Sequence, residues 1–356
     1  MNNNYCVIMA GGVGSRFWPM STQSQPKQFL DPLGLGKSFI RSTFERFLPI
    51  VPPENFLVVT SVQYLDQVLQ HLPEIKASQI LLEPVRRNTA PCIAYASHRI
   101  LSVNPAARIV VTPSDHLVTS EQEFQNIINQ GLDFVDHSNN LLTIGITPKH
   151  PETGYGYIQF QEGEQEFKKV KTFTEKPNTD LAKVFVQSGD FLWNSGIFIW
   201  SVQGIINALN SFLPDLNSQF AAAEQVWGTT KEQAFIDELY PQCDNISIDY
   251  GLMEKASDVY VRAGNFGWSD IGTWGSLASY APKDKQGNIL HGGVMAYDTN
   301  NSLISVPKGK VAVVSGLEGY MVVQTHDKLL ICPLEQEQNI RNWVEDIKAQ
   351  WGEQFL

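Results

Sequence analysis

The N-terminal segment VIMAGGVGSRFWPMSTQSQPKQFL combines glycines with cations in an order suited to holding phosphate. Gly11, Gly12 and Gly14 follow an apolar run, and Arg16 and Lys27 come after the glycines. Because glycine has no Cβ, successive backbone N–H groups can converge on an anion. Arginine adds a planar donor fork, and lysine adds a point charge. The segment therefore predicts a phosphate-binding loop, although an ordinary turn with surface cations fits the glycines alone equally well.

Two common nucleotide-binding motifs are excluded in this region. The dinucleotide fingerprint needs a third glycine at the position where this chain has Phe17. Residues 34–38, GLGKS, resemble the end of a P-loop, but Asp31 stands where the first glycine should be. Hydride transfer with a dinucleotide cofactor and P-loop ATP hydrolysis are therefore not expected.

A second candidate anion site begins at Glu83, in the segment EPVRRNTAP. The segment follows a predicted strand and opens a predicted helix, which Asn88 or Thr89 could cap. The free N–H groups at a helix start can also bind phosphate or the edge of a base. Capping alone explains these residues too, so both interpretations stay open on sequence grounds.

Two aspartates stand beside apolar or aromatic runs. Asp115, in TPSDHLV, comes just after the apolar run Arg108–Thr112. A carboxylate just past a strand end lies on the ligand-binding edge of an open α/β sheet, where a divalent metal would be held near phosphates. The structural alternative for Asp115 is a helix cap or a turn. Asp270, between Trp268 and Trp274 in GWSDIGTW, could be a turn residue in an aromatic cluster.

The segments TGYGYIQF, FTEKP and FLWNSGIF combine glycine, aromatic and polar residues. Gly154 allows a close backbone approach, and Tyr155 provides a flat wall with a polar tip. Glu175 and Lys176 alone would ordinarily form a solvated surface pair. Asn194 stands among apolar neighbours, and a buried amide needs hydrogen-bond partners. Either the backbone or the hydroxyls of a sugar could supply them.

The elements that must position these residues alternate between strand and helix. Short apolar runs predict strands over Tyr5–Met9, Phe56–Thr60, Gln79–Leu82, Arg108–Thr112 and Leu141–Ile146. Amphipathic segments predict helices over Ser38–Leu48, Val62–His71, Thr89–Ser102 and Glu121–His137. The alternation predicts βαβ units and an α/β fold with a mainly parallel sheet, whose ligand edge gathers the loops after the strands.

From about Gly287 the sequence consists of short β-rich runs separated by Gly, Asn and Pro. Helical periodicity is missing there, so we predict a small β-rich domain closed by a helix near Glu335–Trp351. We divide the chain into residues 1–285, a catalytic domain, and residues 286–356, the β-rich domain. An appended β module often serves assembly, which makes a homodimer possible.

Composition excludes several other classes of protein. The formal net charge of the 356 residues is −11, from 26 basic and 37 acidic side chains, and no basic block occurs. A nonspecific nucleic-acid binder or an anionic-membrane binder is therefore not expected. The four cysteines form no CxxC pair, which argues against a disulfide scaffold or a structural zinc site. No apolar run suggests a signal peptide or a membrane span, so we expect a cytoplasmic protein.

The loop GGVGSRFWP followed by PKQFL resembles the opening of the sugar-phosphate nucleotidylyltransferases. Phe17, Trp18 and Gln28 favour the guanylyl branch over the uridylyl and thymidylyl branches. Ser15 stands where that branch often has threonine, a change that keeps a hydroxyl near the phosphates. The other segments described above follow in the family's order as far as about residue 275.

The resemblance implies a Rossmann-like nucleotidyltransferase domain with a mainly parallel mixed sheet and a small β-helix-like C-terminal domain. It implies transfer of GMP from GTP to mannose 1-phosphate, with Mg²⁺ as cofactor. A related enzyme for another sugar 1-phosphate or NTP, and a regulatory homologue without activity, are the alternatives. Because the given sequence ends without the isomerase-type domain of some bacterial homologues, we expect a single activity. The implied roles are nucleotide binding by Gly11, Gly12, Gly14, Ser15, Glu83, Asn88 and Thr89, nucleotide binding and catalysis by Arg16 and Lys27, metal binding by Asp115 and Asp270, and sugar-phosphate binding by Gly154, Tyr155, Glu175, Lys176 and Asn194.

Overall fold

The computed structural model describes residues 2–34, 36–136 and 138–356, which divide into two compact units. Unit 1 contains the residues up to Gly11 together with Thr43–Ser114 and Val118–Trp268. Unit 2 contains Gly12–Ser42, Asp115–Leu117 and Ser269–Leu356. Each unit thus combines segments that are distant in sequence. The sequence-based boundary between residues 285 and 286 stays a prediction.

Eleven strands precede the C-terminal β-rich region in the described part of the chain. They are β1 (Asn4–Met9), β2 (Phe56–Ser61), β3 (Ile80–Glu83), β4 (Arg108–Pro113), β5 (Leu117–Val118), β6 (Leu141–Ile146), β7 (Gly156–Phe160), β8 (Phe167–Glu175), β9 (Phe191–Ser201), β10 (Val259–Gly264) and β11 (Trp268–Ser269). Nine of them form one sheet in unit 1, in the order β3-β2-β1-β4-β9-β6-β10-β8-β7.

The sheet is mixed, as the sequence predicts, but it is not mainly parallel: four of its nine strand pairings are parallel, and these are confined to two places. Strands β3, β2, β1 and β4 are parallel neighbours, and β6 is parallel to β10. Strand β9 runs antiparallel to β4, β6 and β7, and β8 runs antiparallel to β7 and β10. Each antiparallel pairing involves β7, β8 or β9, which the alternation of strands and helices in the sequence did not predict.

Ten α-helices are present among the residues that the structure describes. They are α1 (Phe39–Phe47), α2 (Leu65–His71), α3 (Thr89–Leu101), α4 (Glu121–Phe134), α5 (Thr179–Ser188), α6 (Val202–Phe212), α7 (Pro214–Ala221), α8 (Glu232–Leu239), α9 (Trp274–Ala278) and α10 (Ile340–Trp351). None of these helices has both the length and the apolar character needed to cross a membrane.

The predicted helices are found, with small differences at their ends. Helix α2 begins at Leu65 because Val62–Tyr64 form a 3₁₀ turn. Helix α4 ends at Phe134, and the predicted end at His137 lies outside the described residues. Helix α10 begins at Ile340, since the residues before it, Leu334–Asn339, form a 3₁₀ helix.

The core of unit 1 is built from continuous apolar runs. In unit 1, Val7 on β1 and Ile109 and Val111 on β4 are fully buried, as expected for parallel strands covered on both faces. Helices α3, α6 and α7 contribute to a buried cluster in which Phe220 of α7 and Trp200 of β9 both take part. This packing fixes the strand ends that carry the predicted site residues.

Unit 2 contains the C-terminal β-rich region, whose strands are β12 (Ile289–His291), β13 (Gly293–Tyr297), β14 (Leu303–Ser305), β15 (Val311–Ser315), β16 (Tyr320–Gln324) and β17 (Leu329–Pro333). Strands β12, β14 and β16 are parallel neighbours, β17 is antiparallel to β16, and β13 pairs with β15 in a second parallel sheet. Successive short strands alternate between the two sheets, which is the coiling of a β-helix. The predicted β-helix-like region is therefore present.

Candidate active site

The glycine loop of unit 2, residues 12–18, turns into a short 3₁₀ helix over Ser15–Phe17. Gly14 precedes that helix with φ of 76°, a left-handed conformation that favours glycine. A Cβ on Gly14 would lie 2.5 Å from the Cβ of Lys27, closer than real Cβ contacts. The backbone N–H of Lys27 donates to the carbonyl of Val13 at 3.0 Å. Glycine at position 14 is therefore what lets Lys27 lie directly against the loop.

Lys27 is the central cation of unit 2, and its side chain is almost fully buried. The ammonium nitrogen lies 2.9 Å from a carboxylate oxygen of Asp115 and donates to the backbone carbonyl of Asp270 at 2.7 Å. The rings of Phe17 and Phe39 flank it, with centroids 5.5 and 5.2 Å away. Lys27 is thus held by one carboxylate, one backbone carbonyl and two aromatic faces.

The charge of Lys27 also sets the protonation of Asp115. Burial alone would raise the pKa of the Asp115 carboxyl, but the Lys27 ammonium and, more weakly, His116 hold that pKa below its usual value. Asp115 is therefore an ionised acceptor throughout the neutral range. His116 lies 4.0 Å from the carboxylate and supports it from one side.

Asp270 is held in a tight turn before α9. One of its carboxylate oxygens accepts the backbone N–H of Gly272 at 2.9 Å, and a Cβ on Gly272 would come within 2.5 Å of the other. The Asp115 carboxylate contacts the Lys27 ammonium directly, whereas Asp270 contacts it through its backbone carbonyl. Both carboxylates are hard oxygen donors, which suit Mg²⁺ when water and phosphate complete the coordination. In the described ranges no group of three or more His, Cys, Asp or Glu side chains surrounds a metal position.

In unit 1, Glu83 at the end of β3 faces Gly11 at the end of β1. A Cβ on Gly11 would lie 3.0 Å from a carboxylate oxygen of the buried Glu83, so a side chain at position 11 would crowd this carboxylate. The other oxygen accepts the hydroxyl of Tyr240. Burial raises the pKa of Glu83 to about 7, and the Tyr240 hydrogen bond and Arg86 oppose the rise. Glu83 can therefore change its protonation state near neutral pH.

Asn88 and Thr89 form the N-terminus of α3 in unit 1. The Asn88 side chain accepts the backbone N–H of Thr89 at 3.0 Å, which confirms the predicted capping. The Thr89 hydroxyl accepts the N–H of Ile248 at 2.9 Å, and the N–H of Ala90 donates to Ile246. The first N–H groups of α3 are therefore already bonded within the chain, which limits the helix end as an anion site.

The ends of β8 and β9 bring the predicted sugar-phosphate residues of unit 1 together. The Asn194 amide donates to Asp249 at 2.7 Å, while its oxygen accepts the N–H of Gly196 at 3.1 Å. A Cβ on Gly156 would come within 2.4 Å of a Glu175 oxygen and 3.4 Å of the Asn194 Cβ. Gly156 therefore leaves room for a carboxylate and an amide side by side, a pair that suits hydroxyl groups.

Lys176 and Tyr155 complete this cluster. Lys176 has a positive φ of 47°, and its ammonium pairs with Glu175. Its backbone N–H donates to the carbonyl of Tyr155 at 3.2 Å. The Tyr155 ring meets Trp193 and Trp268 edge-on, with centroids 5.2 and 5.3 Å apart. An aromatic wall thus stands beside an exposed cation.

Gly154 and the other predicted residues take the remaining positions. The N–H of Gly154 donates to Glu152 at 2.8 Å, in the turn before β7. Ser15 and Arg16 are half-buried on the 3₁₀ turn of the glycine loop. Unit 2 contains Gly12, Gly14, Ser15, Arg16, Lys27, Asp115 and Asp270, whereas unit 1 contains Gly11, Glu83, Asn88, Thr89, Gly154, Tyr155, Glu175, Lys176 and Asn194.

Two further residues contact the predicted site, and only one of them, Asp249, could be suspected from the sequence. Tyr240 bonds Glu83 across 157 residues of sequence, and nothing in its local segment indicates this. Asp249 pairs with Asn194, and burial followed by the charge of Glu175 raises its pKa to about 6. Asp249 stands in SIDYGLMEKAS, a segment that resembles a family stretch near the sugar site, so the sequence makes it a plausible contributor, with a structural role at a helix start as the alternative.

Two models of known protein families match consecutive parts of the chain. The model of the nucleotidyl transferase family matches residues 5–287, and that of the MannoseP isomerase/GMP-like beta-helix domain matches residues 292–347. The first match covers most of the sequence, so the chain belongs to the nucleotidyl transferase family. The resemblance inferred from the motifs is thereby confirmed.

Relatives with assigned activities resemble the chain over nearly its full length. It is 37% identical to the mannose-1-phosphate guanylyltransferase of Salmonella muenchen, over 96% of this chain and 73% of that protein. It is 34% identical to a protein of the same name from Escherichia coli, over 96% of this chain and 75% of the relative. A crystal structure described as mannose-1-phosphate geranyltransferase from Thermus thermophilus superposes with a TM-score of 0.87 at 30% identity, covering 98% of this chain and all of that one.

Proposed function

We propose that this chain transfers GMP from GTP to α-D-mannose 1-phosphate, giving GDP-mannose and pyrophosphate. The observation that supports the chemistry most directly is the Lys27 ammonium, buried beside the glycine loop between Asp115 and the Asp270 carbonyl. Such a cluster suits a reaction between anions. The guanylyltransferases that share 34–37% identity with the chain support the choice of substrates.

The proposed reaction needs no nucleophile from the enzyme. A phosphate oxygen of the sugar phosphate, already ionised at neutral pH, attacks the α-phosphorus of GTP, and the bond to pyrophosphate breaks. The glycine loop and Arg16 hold the β- and γ-phosphates and the departing pyrophosphate, while Lys27 neutralises charge near the α-phosphate. Positioning of two polyanions can contribute about 7–11 kcal/mol of the barrier reduction.

Mg²⁺ is the proposed cofactor, and Asp115 and Asp270 are the residues that would hold it. When bound, Mg²⁺ supplies charge neutralisation for the phosphates. Asp115 is suited to this role because the low pKa of its carboxyl keeps it ionised. Asp270 is suited because the turn at Gly272 fixes its carboxylate.

Glu83 is the residue proposed to recognise the guanine base. An ionised carboxylate can accept N–H groups of guanine, and the Tyr240 hydroxyl leaves one Glu83 oxygen for that purpose. Asn88 and Thr89 shape the adjoining start of α3 and are proposed to support nucleotide binding there. Uracil and thymine lack the neighbouring amino group of guanine, so this contact favours GTP.

The sugar phosphate is proposed to lie in the cluster of Glu175, Lys176 and Asn194. The carboxylate and amide accept and donate to sugar hydroxyls, and the ammonium binds the phosphate. Gly154 and Tyr155 would form the wall beside the ring. A nucleotidylyltransferase for another sugar 1-phosphate or another NTP is the alternative that uses the same residues.

A substrate panel tests this proposal. The purified chain with Mg²⁺ is incubated with each of GTP, ATP, UTP and dTTP, and with mannose, glucose and galactose 1-phosphates, and pyrophosphate release is measured. The expected result is the highest kcat/KM for GTP with mannose 1-phosphate. A higher kcat/KM for another pair would assign the alternative enzyme. Tight binding of GDP-mannose without any turnover would instead indicate a regulatory homologue.

The C-terminal β-rich region is the proposed surface of a homodimer. Strands β13 and β15 expose Met295, Tyr297, Val311 and Val313 on one face, with exposed fractions between 50 and 76%. Contiguous exposed apolar side chains are typical of protein–protein contacts. Sedimentation of the chain beside a Val311→Lys, Val313→Lys variant tests this, because the variant should sediment as a monomer. The proposed location is the cytoplasm, where GTP is available.

A further inference from the structure

Trp18, the last residue of the glycine loop, is bonded to the C-terminal residues of unit 2. Its indole N–H donates to the backbone carbonyl of Phe355 at 3.0 Å, across 337 residues of sequence. Its own carbonyl accepts the indole N–H of Trp274 at 3.4 Å. The Trp18 side chain is 8% exposed. The end of the loop is therefore held from two sides by polar bonds.

The same contacts continue toward the catalytic cation. Phe17 packs against Trp274, with ring centroids 5.0 Å apart, and its other neighbours include the Lys27 ammonium. Helix α10 contributes Ile340 and Val344 to the same buried cluster. Because these groups are in direct contact, a shift of Trp18 moves Phe17, and a shift of Phe17 changes the surroundings of Lys27.

Both apolar packing and a hydrogen bond hold the Trp18 indole. Trp18 belongs to the buried cluster that contains Phe17, Trp274 and Ile340. It also lines an open groove of about 330 Å³, together with Asp327, Lys328, Ile347, Trp351 and Phe355. A directional hydrogen bond beside such a groove restricts the ring to one orientation. The Trp18–Phe355 bond therefore fixes the orientation of the indole.

We propose that Trp18 is a positioning residue for nucleotidyl transfer, because its bond to the Phe355 carbonyl keeps Arg16 and Lys27 in the arrangement that holds the phosphates of GTP. This inference rests on the proposed function. In this proposal the C-terminal residues of unit 2 support catalysis, in addition to the proposed role of the β-rich region in dimer formation. Trp18 itself does not touch substrate, and it acts through the conformation of the glycine loop.

The test compares two conservative variants at the same groove. Trp18→Phe keeps an aromatic ring and removes the N–H donor, whereas Trp351→Phe makes the same change at another residue that lines the groove and is 55% exposed. Steady-state kinetics are measured on the full chain with GTP and mannose 1-phosphate, and thermal unfolding is followed in parallel. A third variant, Phe355→Ala, removes the ring and keeps the carbonyl acceptor.

The expected result is a decrease of about tenfold in kcat/KM for GTP in Trp18→Phe, the size of effect typical of one lost hydrogen bond. The KM for mannose 1-phosphate should stay within about twofold of wild type, and Trp351→Phe and Phe355→Ala should retain the wild-type GTP kinetics. If Trp18→Phe does not fold, a chain ending at Gly352, which lacks the acceptor but keeps Trp18, replaces it and should show the same selective loss.

Two results would overturn the inference. The first is unchanged GTP kinetics in the folded Trp18 variant. The second is an equal loss for both substrates that follows the fraction of folded protein, since that is the behaviour of a purely structural contact. An inactive wild-type chain would contradict the proposed function instead, so the two failures are distinguishable.

Discussion

Replacing Gly14 by alanine should disable catalysis through Lys27 without removing any charged group. At Gly14 φ is 76°, a conformation that costs an L-residue about 1–2 kcal/mol. The added Cβ would also lie 2.5 Å from the Lys27 Cβ, and overpacking of this kind costs about 1–3 kcal/mol. The sum predicts a destabilisation of about 2–5 kcal/mol if the loop stays in place.

The chain can reduce that strain by moving Lys27 away from the loop. The ammonium would then leave its positions at 2.9 Å from Asp115 and 2.7 Å from the Asp270 carbonyl. Loss of one pre-positioned electrostatic contact to a transition state typically lowers kcat by about 10²–10³. We therefore expect Gly14→Ala to combine a lower Tm with a kcat reduced by about two to three orders of magnitude.

The assay is pyrophosphate release under saturating GTP and mannose 1-phosphate, with unfolding followed by circular dichroism. Gly163→Ala is the matched control, because no atom lies within 4 Å of its added Cβ and the backbone there has an ordinary φ. That variant should match wild type in both measurements. A Gly14→Ala protein with wild-type kcat and Tm would refute the reasoning that the glycine is needed for the close approach of Lys27.

Three further predictions concern the remaining groups. The pKa of Glu83 is raised to about 7, so its ionised acceptor form is lost as the pH falls through 7, and the KM for GTP should rise between pH 8 and pH 6. The Glu83→Gln variant should have a high KM for GTP that does not change over this pH range. A variant that keeps the wild-type pH dependence would contradict the assignment. Arg16→Ala should mainly lower kcat, by a factor of about 10²–10³, whereas Lys176→Ala should mainly raise the KM for mannose 1-phosphate, by about tenfold. The reverse pattern in steady-state kinetics would contradict both roles. Asp270→Asn should raise the Mg²⁺ concentration needed for half-maximal activity and weaken Mn²⁺ binding measured by electron paramagnetic resonance, and an unchanged metal titration would exclude ligation.

The strands and helices of the first half of the chain could be predicted because their apolar patterns are local. Strands such as Leu141–Ile146 are buried along their whole length, and a continuous apolar run is what such burial requires. The position of β9 could not be predicted in this way. It enters the sheet between β4 and β6 in antiparallel orientation, which depends on long-range pairing and leaves no periodic signal.

In the candidate site, too, local features could be predicted from the sequence and long-range contacts could not. Residue types that hold phosphate stand close together in the sequence, so their spacing makes the glycine loop a candidate phosphate site, although an ordinary turn fits the glycines alone equally well. The contacts that tune them join distant segments, such as Lys27 with the Asp270 carbonyl and Tyr240 with Glu83, which are 243 and 157 residues apart. Local sequence patterns do not indicate which distant residues will be in contact. Resemblance to a family makes Asp270 a predicted metal ligand, whereas the contact of Tyr240 with Glu83 is visible only in the structure.

The stereochemistry at the α-phosphorus tests most directly whether two bound anions react without an enzyme nucleophile. GTP carrying a chiral thiophosphate at the α position is converted with mannose 1-phosphate, and the configuration of the product thio-GDP-mannose is determined by ³¹P NMR. A single in-line displacement predicts inversion of configuration. Retention would require two successive displacements through a covalent guanylyl-enzyme and would contradict the proposed mechanism.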